Sequence, residues 1–462
     1  MNNIQSSKES SSFRDPNGYI FYYKGEPYRY VSMEYAEVYQ QFIDTGLYNN
    51  LVLNSLIIPH EEVDEPKINT ARCYKILKPE VVDFISYPYE WCFSQYKDAA
   101  LAMLKIQKIA LDHNMSLKDS SAFNIQFVNG KFVLIDTLSF QIFEDGKPWV
   151  AYRQFCKHFL APLTLMSLVD VRLGQLMSNY IDGIPLDLVK KLLPISSNLK
   201  FGIFIHINLH SLMQKKHANS TKEKTKTLKI FGKHAFYGLI ESLEKSISQL
   251  TLKSNEQNWE NYYTDLQLDK DYRELKIEMV KQYLDIAKPK KLWDLGANTG
   301  LYSRIAVDKG ISAISFDSDY NCVEKNYLLI KERKEKNHLS LYNDITNPSS
   351  ALGWANKERK SLTERGPVEL ILALAFIHHL AISNNLPFEK VASFLSSLCT
   401  WLIIEFVPKS DPMVMKLLSS REDIFPNYSC EEFESVFCNY FSIEQKYLLK
   451  PSSRIIYLFQ RK

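Results

Sequence analysis

Ten residues in the second half of the chain constrain its fold more than any other stretch: Lys291-Leu-Trp-Asp-Leu-Gly-Ala-Asn-Thr-Gly300, followed by an apolar run that ends in Asp317. A short apolar run breaking into a glycine turn and then a helix, with a carboxylate closing the next strand, predicts an open α/β sheet built to hold a nucleoside-bearing ligand. Gly296 and Gly300 lack a Cβ, so the backbone can turn sharply and lie close against that ligand. The helix expected to start near Leu301 directs free N–H groups at it. The spacing Asp294-Leu-Gly296-Ala297-Asn298-Thr-Gly300 departs from the GxGxxG turn of a dinucleotide site, because the middle glycine is absent and an acid precedes the turn. Asp317 stands 23 residues after Asp294, where a carboxylate can accept two ribose hydroxyls.

This DxGxxxG form resembles motif I of class I S-adenosylmethionine-dependent methyltransferases, and the resemblance runs from about Trp259 to Lys462. Asn343-Asp344 follows a short apolar segment and is similar to the family's third-strand position, where Asp344 would meet the adenine amino group. Leu370 to Ala375 reads as a buried strand leading into Phe376-Ile-His378-His379-Leu380, and Trp401-Leu-Ile-Ile-Glu405-Phe as the next strand. Two β-rich runs around Pro451-Ser-Ser453 fit a closing antiparallel hairpin. The resemblance implies an α/β fold, a doubly wound Rossmann-like sheet with that hairpin at its end. It implies S-adenosylmethionine as cofactor, held by Asp294, Gly296, Ala297, Asn298, Gly300, Asp317, Ser318, Asn343, Asp344 and Ala375. His378, His379 and Glu405 are the candidates for a catalytic base. Two departures stand out. Asn298 replaces the usual glycine, and no Asn/Asp-Pro-Pro-Tyr follows the fourth strand, which argues against methylation of base amines or glutamine amides. Asp319, just before Tyr320, is expected to cap a helix.

The N-terminal half carries a second constellation. Met103 to His113 reads as a helix, followed by a loop with Asp119 and Asn124, an Asn129-Gly130 hairpin turn, and a strand ending in Asp136. Helix, loop, hairpin and acid in this order resemble the catalytic and metal-binding loops of the protein-kinase-like fold, with Phe84 to Trp91 similar to its hinge. The resemblance covers about Tyr19 to Pro194 and implies an α+β domain in which Asp119 acts as base and Asn124 and Asp136 hold magnesium on ATP phosphates. No glycine-rich phosphate loop lies between Gly18 and Tyr30, Leu117 stands where a His is usual, and only Lys75 and Arg29 offer themselves as the phosphate cation. Mg-ATP binding is therefore expected to be weak or absent. The structural alternative is that Asp119 caps a turn, Asn124 holds the loop and Asp136 ends a strand.

A chain of 462 residues exceeds one ordinary core, and 45% hydrophobic content is ample for two. The expected organisation is a loose tail over 1–18, a kinase-like domain over 19–212, a charged linker and connecting helix over 213–258, and a methyltransferase domain over 259–462. The linker expectation rests on 214–227, which is almost devoid of large apolar residues. A formal charge of +3 gives no field for non-specific nucleic-acid binding. Seven Cys without a CxxC pair indicate neither a disulfide framework nor a zinc site and suit the cytoplasm. No apolar run reaches the ~20 residues that cross a bilayer. His206 and His210 share a helical face, but no third metal ligand accompanies them. The expected function is methyl transfer to a small-molecule or glycan acceptor, relatives of this two-domain type being associated with glycan modification such as nodulation factors. The alternatives are a bifunctional kinase–methyltransferase, a scaffold on two degenerate enzyme folds, and, with a tighter glycine turn, a dinucleotide oxidoreductase. The oligomeric state is open.

Overall fold

The computed structural model describes residues 7–66, 72–199, 201–209, 232–252, 270–419 and 422–462. The charged stretch 214–227, Trp259 and His210 lie outside them, as do the first six residues of the expected tail. The chain divides into two compact units, Met1–Ser254 with Leu352–Arg359, and Asn255–Ala351 with Lys360–Lys462.

In the first unit, strands β1 (Ser7–Lys8), β2 (Gly18–Tyr23), β3 (Glu26–Ser32), β4 (His60–Val63) and β5 (Cys73–Pro79) form an antiparallel sheet of order β1-β2-β3-β5-β4. The tail expectation is corrected from Ser7 onward, since Ser7 pairs with Tyr22 and Lys8 with Phe21. The aromatic strands pack as cross-strand pairs, Tyr19 stacking on Tyr30 at 4.7 Å. A helix over Phe93–Asp112 buries a stripe of Ala99, Met103, Leu104, Ile106, Ala110 and Leu111. Four short strands follow: β6 (Met115–Leu117), β7 (Ile125–Val128), β8 (Lys131–Leu134) and β9 (Phe140–Ile142), paired β6 with β9 and β7 with β8. The expected Asn129-Gly130 turn joins β7 to β8, both residues having the positive φ such a turn demands. The helix expected as a connector, Lys233–Ser248, belongs to this unit, where Lys108 pairs with Glu244 at 2.8 Å.

The second unit is one seven-stranded sheet. Strands β10 (Lys291–Leu295), β11 (Ser312–Asp317), β12 (His338–Tyr342), β13 (Val368–Ala373), β14 (Cys399–Phe406), β15 (Phe441–Leu448) and β16 (Ile455–Arg461) are ordered β12-β11-β10-β13-β14-β16-β15. The pairings from β12 to β14 are parallel, and the closing β15–β16 hairpin adds antiparallel to β14. This is the class I methyltransferase fold. Its parallel strands read as unbroken apolar runs because both faces are covered, with Leu292, Leu370, Leu372 and Ile403 wholly buried. The helix Lys270–Ala287 contributes Tyr272, Met279, Val280, Tyr283 and Leu284 to the same core, at helical spacing. Strand order reverses at β10, between β11 and β13, and the crevice at the carboxyl ends of those strands is where an open α/β sheet places its ligand. Among the described residues no helix is long and apolar enough to cross a membrane.

Candidate functional site

At that crevice lies a cavity of about 310 Å³, within the usual range for a small-molecule site. Of the expected cofactor residues, Asp294, Gly296, Ala297, Asn298, Asp317, Ser318, Asn343, Asp344 and Ala375 line it. The sequence order explains why: β10 ends at Leu295, β11 at Asp317, β12 at Tyr342 and β13 at Ala373, so each of these residues is at or just past a strand's carboxyl end.

The motif loop is fixed by main-chain contacts. The amides of Gly296 and Ala297 donate to the carbonyl of Phe316 at 2.9 and 3.0 Å. The Asn298 amide donates to Oδ2 of Asp317 at 2.7 Å, and the Asp319 amide to its Oδ1 at 2.9 Å. Asn298 has φ of +50°, so the position that usually carries glycine is left-handed here, and Asn is the residue that tolerates this best after glycine. At Gly296, with φ of +74°, an added Cβ would lie 2.9 Å from the Phe376 ring. Gly300 is a correction: it does not line the cavity. An added Cβ there would lie 2.4 Å from Asn326 Oδ1, so it is glycine for packing, at the N-cap of the helix Leu301–Asp308.

Burial pushes the carboxyls of Asp294 and Asp317 up from 3.8 to about 6. Asp294 also ends a buried polar chain. Its Oδ2 is 2.6 Å from Ser303 Oγ, which is 2.7 Å from Ser315 Oγ, which is 2.6 Å from His338 Nε2, whose Nδ1 is 2.7 Å from Glu335 Oε2. Ser303 Oγ donates to the Asp294 carboxylate, which opposes the upward push of burial on that group. Glu335 continues to Arg304 at 2.9 Å, and Arg304 returns to the motif loop through the Thr299 carbonyl at 2.5 Å. One buried network thus clamps both ends of the motif loop.

The three candidate bases part company. His379 lines the cavity, and burial together with the Arg454 charge lowers its pKa to about 4. His378 is a correction: it is fully buried, lies outside the lining, and neither ring nitrogen has a hydrogen-bond partner among the described residues. Its ring instead packs 4.2 Å from that of His379. Glu405 is the second correction. It is wholly buried and off the cavity, its Oε1 accepting from Tyr272 Oη and its Oε2 from Lys276 Nζ, both at 2.5 Å, with Arg454 at 3.6 Å. Burial alone would push its carboxyl up, but Lys276 and Arg454 outweigh it and hold the group below the usual carboxylate range. A carboxylate so engaged anchors charges and does not abstract protons.

Sequence reasoning missed that Tyr272, Lys276, Tyr302 and Arg454 line the cavity. The i, i+4 spacing of Tyr272 and Lys276 on an amphipathic helix was the available signal. Asp319 caps the helix Tyr320–Arg333 as expected, accepting from the Asn321 amide at 2.8 Å, and lines the cavity as well.

In the first unit, Asp119, Asn124 and Asp136 come together. Asp119 Oδ1 accepts from the Ser121 amide at 2.9 Å, and its side chain bonds to Gln154 and Asn124. Burial, then the charge of Asp136, raises its carboxyl pKa. Lys75, one candidate for the phosphate cation, is paired with Glu62 at 2.5 Å. His206 is held between Tyr152 at 2.8 Å and Ser242 at 3.0 Å, and no group of potential metal ligands is found among the described residues.

No family model matches the chain. It is 32% identical to the nodulation protein NoeA of Rhizobium meliloti strain 1021 over 459 residues, 98% of this chain and 96% of that protein. Among solved structures it resembles the magnesium protoporphyrin IX methyltransferase of Synechocystis PCC 6803 with bound SAH (19% identity, 44% of this chain, 93% of that one, TM-score 0.32). It also resembles the bifunctional kinase–methyltransferase WbdD (18%, 41% of this chain, 39% of that one, TM-score 0.29).

Proposed function

Since the chain belongs to the family of the nodulation protein NoeA, we propose that it is an S-adenosylmethionine-dependent methyltransferase acting on a hydroxyl of a small molecule or glycan. The observation that carries this reading is Asp317, a cavity-lining carboxylate held by the amides of Asn298 and Asp319 at the end of β11. A group so anchored suits a pair of ribose hydroxyls.

The other residues fit the cofactor as well. Asn343 is 4% exposed and lines the cavity, and its Oδ1 has no hydrogen-bond partner among the described residues, an acceptor left for a ligand donor. The bare Gly296 backbone leaves room for a close approach, and Asp344 stands beside Asn343 for the adenine edge. When bound, the cofactor supplies an electrophilic methyl group on a sulfonium. The chain's own work is to bind, orient and exclude water, which can provide most of the acceleration. His379 lines the cavity and is neutral at pH 7, and a pKa of about 4 makes it a weak base. The reading is tested by incubating the enzyme with methyl-labelled S-adenosylmethionine and fractionated metabolite and glycan extracts. Label entering a hydroxyl of a discrete product supports it, and label entering no fraction counts against it.

The titration of Asp317 gives a further expected result. Its carboxylate form is the hydroxyl acceptor, so with a pKa of about 6 cofactor affinity is full above pH 6 and declines below it, by about tenfold from pH 7 to pH 5. The ligand-free fold responds with the opposite sign, because a raised carboxyl pKa costs stability at neutral pH and the cost is relieved as pH falls through 6. Calorimetric titration at the two pH values checks the first, and affinity that is flat or rises on acidification would contradict it.

The first unit we read as a kinase-like α+β domain, supported by an antiparallel sheet followed by a mainly helical segment and by the shared location of Asp119, Asn124 and Asp136. The seven cysteines form no disulfide among the described residues, which favours a reducing, cytoplasmic setting.

A further inference from the structure

The kinase-like reading implies magnesium held by Asn124 and Asp136, and the side chains around those residues do not fit it. Arg29 Nη1, from the middle of β3, lies 2.5 Å from Asp136 Oδ1, with the two side chains only 12% and 17% exposed. The other carboxylate oxygen accepts from Ser139 Oγ at 2.6 Å. Asn124, the second expected ligand, bonds through its side chain to Asp119. A magnesium ion requires near-octahedral oxygen ligands at about 2.0–2.1 Å and gives up its waters reluctantly. It would have to displace a guanidinium already seated on Asp136, the only carboxylate of the two expected ligands.

We propose that Arg29 takes the place of a divalent cation on Asp136, so that the N-terminal unit does not take up magnesium. Arg29 thereby neutralises the acid that a phosphotransferase would keep for its metal. Lys75, paired with Glu62, supplies no second cation there. This inference is independent of the methyl-transfer reading, which concerns other residues.

Manganese titrated into the full chain, with the free ion counted by electron paramagnetic resonance, tests it. Wild type and Asp136→Asn should give superimposable curves. Arg29→Met should gain a site that binds about tenfold or more tighter than wild type, and the double variant Arg29→Met with Asp136→Asn should lose it. A wild-type site that Asp136→Asn weakens about tenfold would overturn the proposal, as would an Arg29→Met protein with native circular dichroism and no new site. If Arg29→Met does not fold, Arg29→Gln takes its place with the same two outcomes, and the wild-type comparison stands by itself.

Discussion

Glu405→Ala should lower the stability of the C-terminal unit by about 3–5 kcal/mol, the cost of breaking a buried ion pair by removing one partner. Lys276 and Arg454 are 4% and 1% exposed, and without Glu405 they would face each other with Asp411 beside Arg454 and Asp294 acting on Lys276 as the remaining counter-charges. Tyr272 would also lose the acceptor of its buried hydroxyl. The melting temperature should fall by on the order of 10 °C. Had Glu405 been a catalytic base, the variant would keep its stability and lose turnover. Thermal unfolding measured beside activity distinguishes the two, and an inactive variant melting at the wild-type temperature would restore the base.

The second large effect concerns the cofactor loop. Asp317→Ala should weaken S-adenosylmethionine binding by about 1.5–3 kcal/mol, the range for hydrogen bonds to a charged group. Gly296→Val should be at least as damaging, for two reasons. A branched side chain at φ of +74° is strained, and its Cβ would lie 2.9 Å from the Phe376 ring that lines the same cavity. Wild-type affinity in a folded Asp317→Ala protein would remove the residue from the site, and unchanged binding in Gly296→Val would mean that the loop is not the cradle.

What could be read in the sequence was local. Gly296 and Asn343 each follow a short strand whose apolar run marks its end, and Asp317 closes one, so strand order alone carries them to one edge of the sheet. The left-handed turn at Asn298 was hidden by the expectation of glycine, yet Asn is the substitution that such a turn accepts. Glu405 was misread because an acid at a strand end looks the same whether it faces a cavity or a core. Its partner Lys276 lies 129 residues away, and Arg454 comes from the far end of the chain. Arg29 was noticed as a possible phosphate cation, but pairing with an acid more than a hundred residues later is a tertiary fact. The same holds for Leu352–Arg359, which interrupts the C-terminal sequence yet counts with the first unit.

The cavity at the ends of β10, β11 and β13 is the proposed S-adenosylmethionine site. Isothermal titration of the full chain with S-adenosylmethionine, and separately with NAD, distinguishes it from a dinucleotide site. One S-adenosylmethionine should bind per chain, more weakly in Asp317→Ala, and NAD should give no heat, because the loop lacks the tight glycine turn a pyrophosphate needs. Saturable NAD binding with no S-adenosylmethionine heat would contradict it.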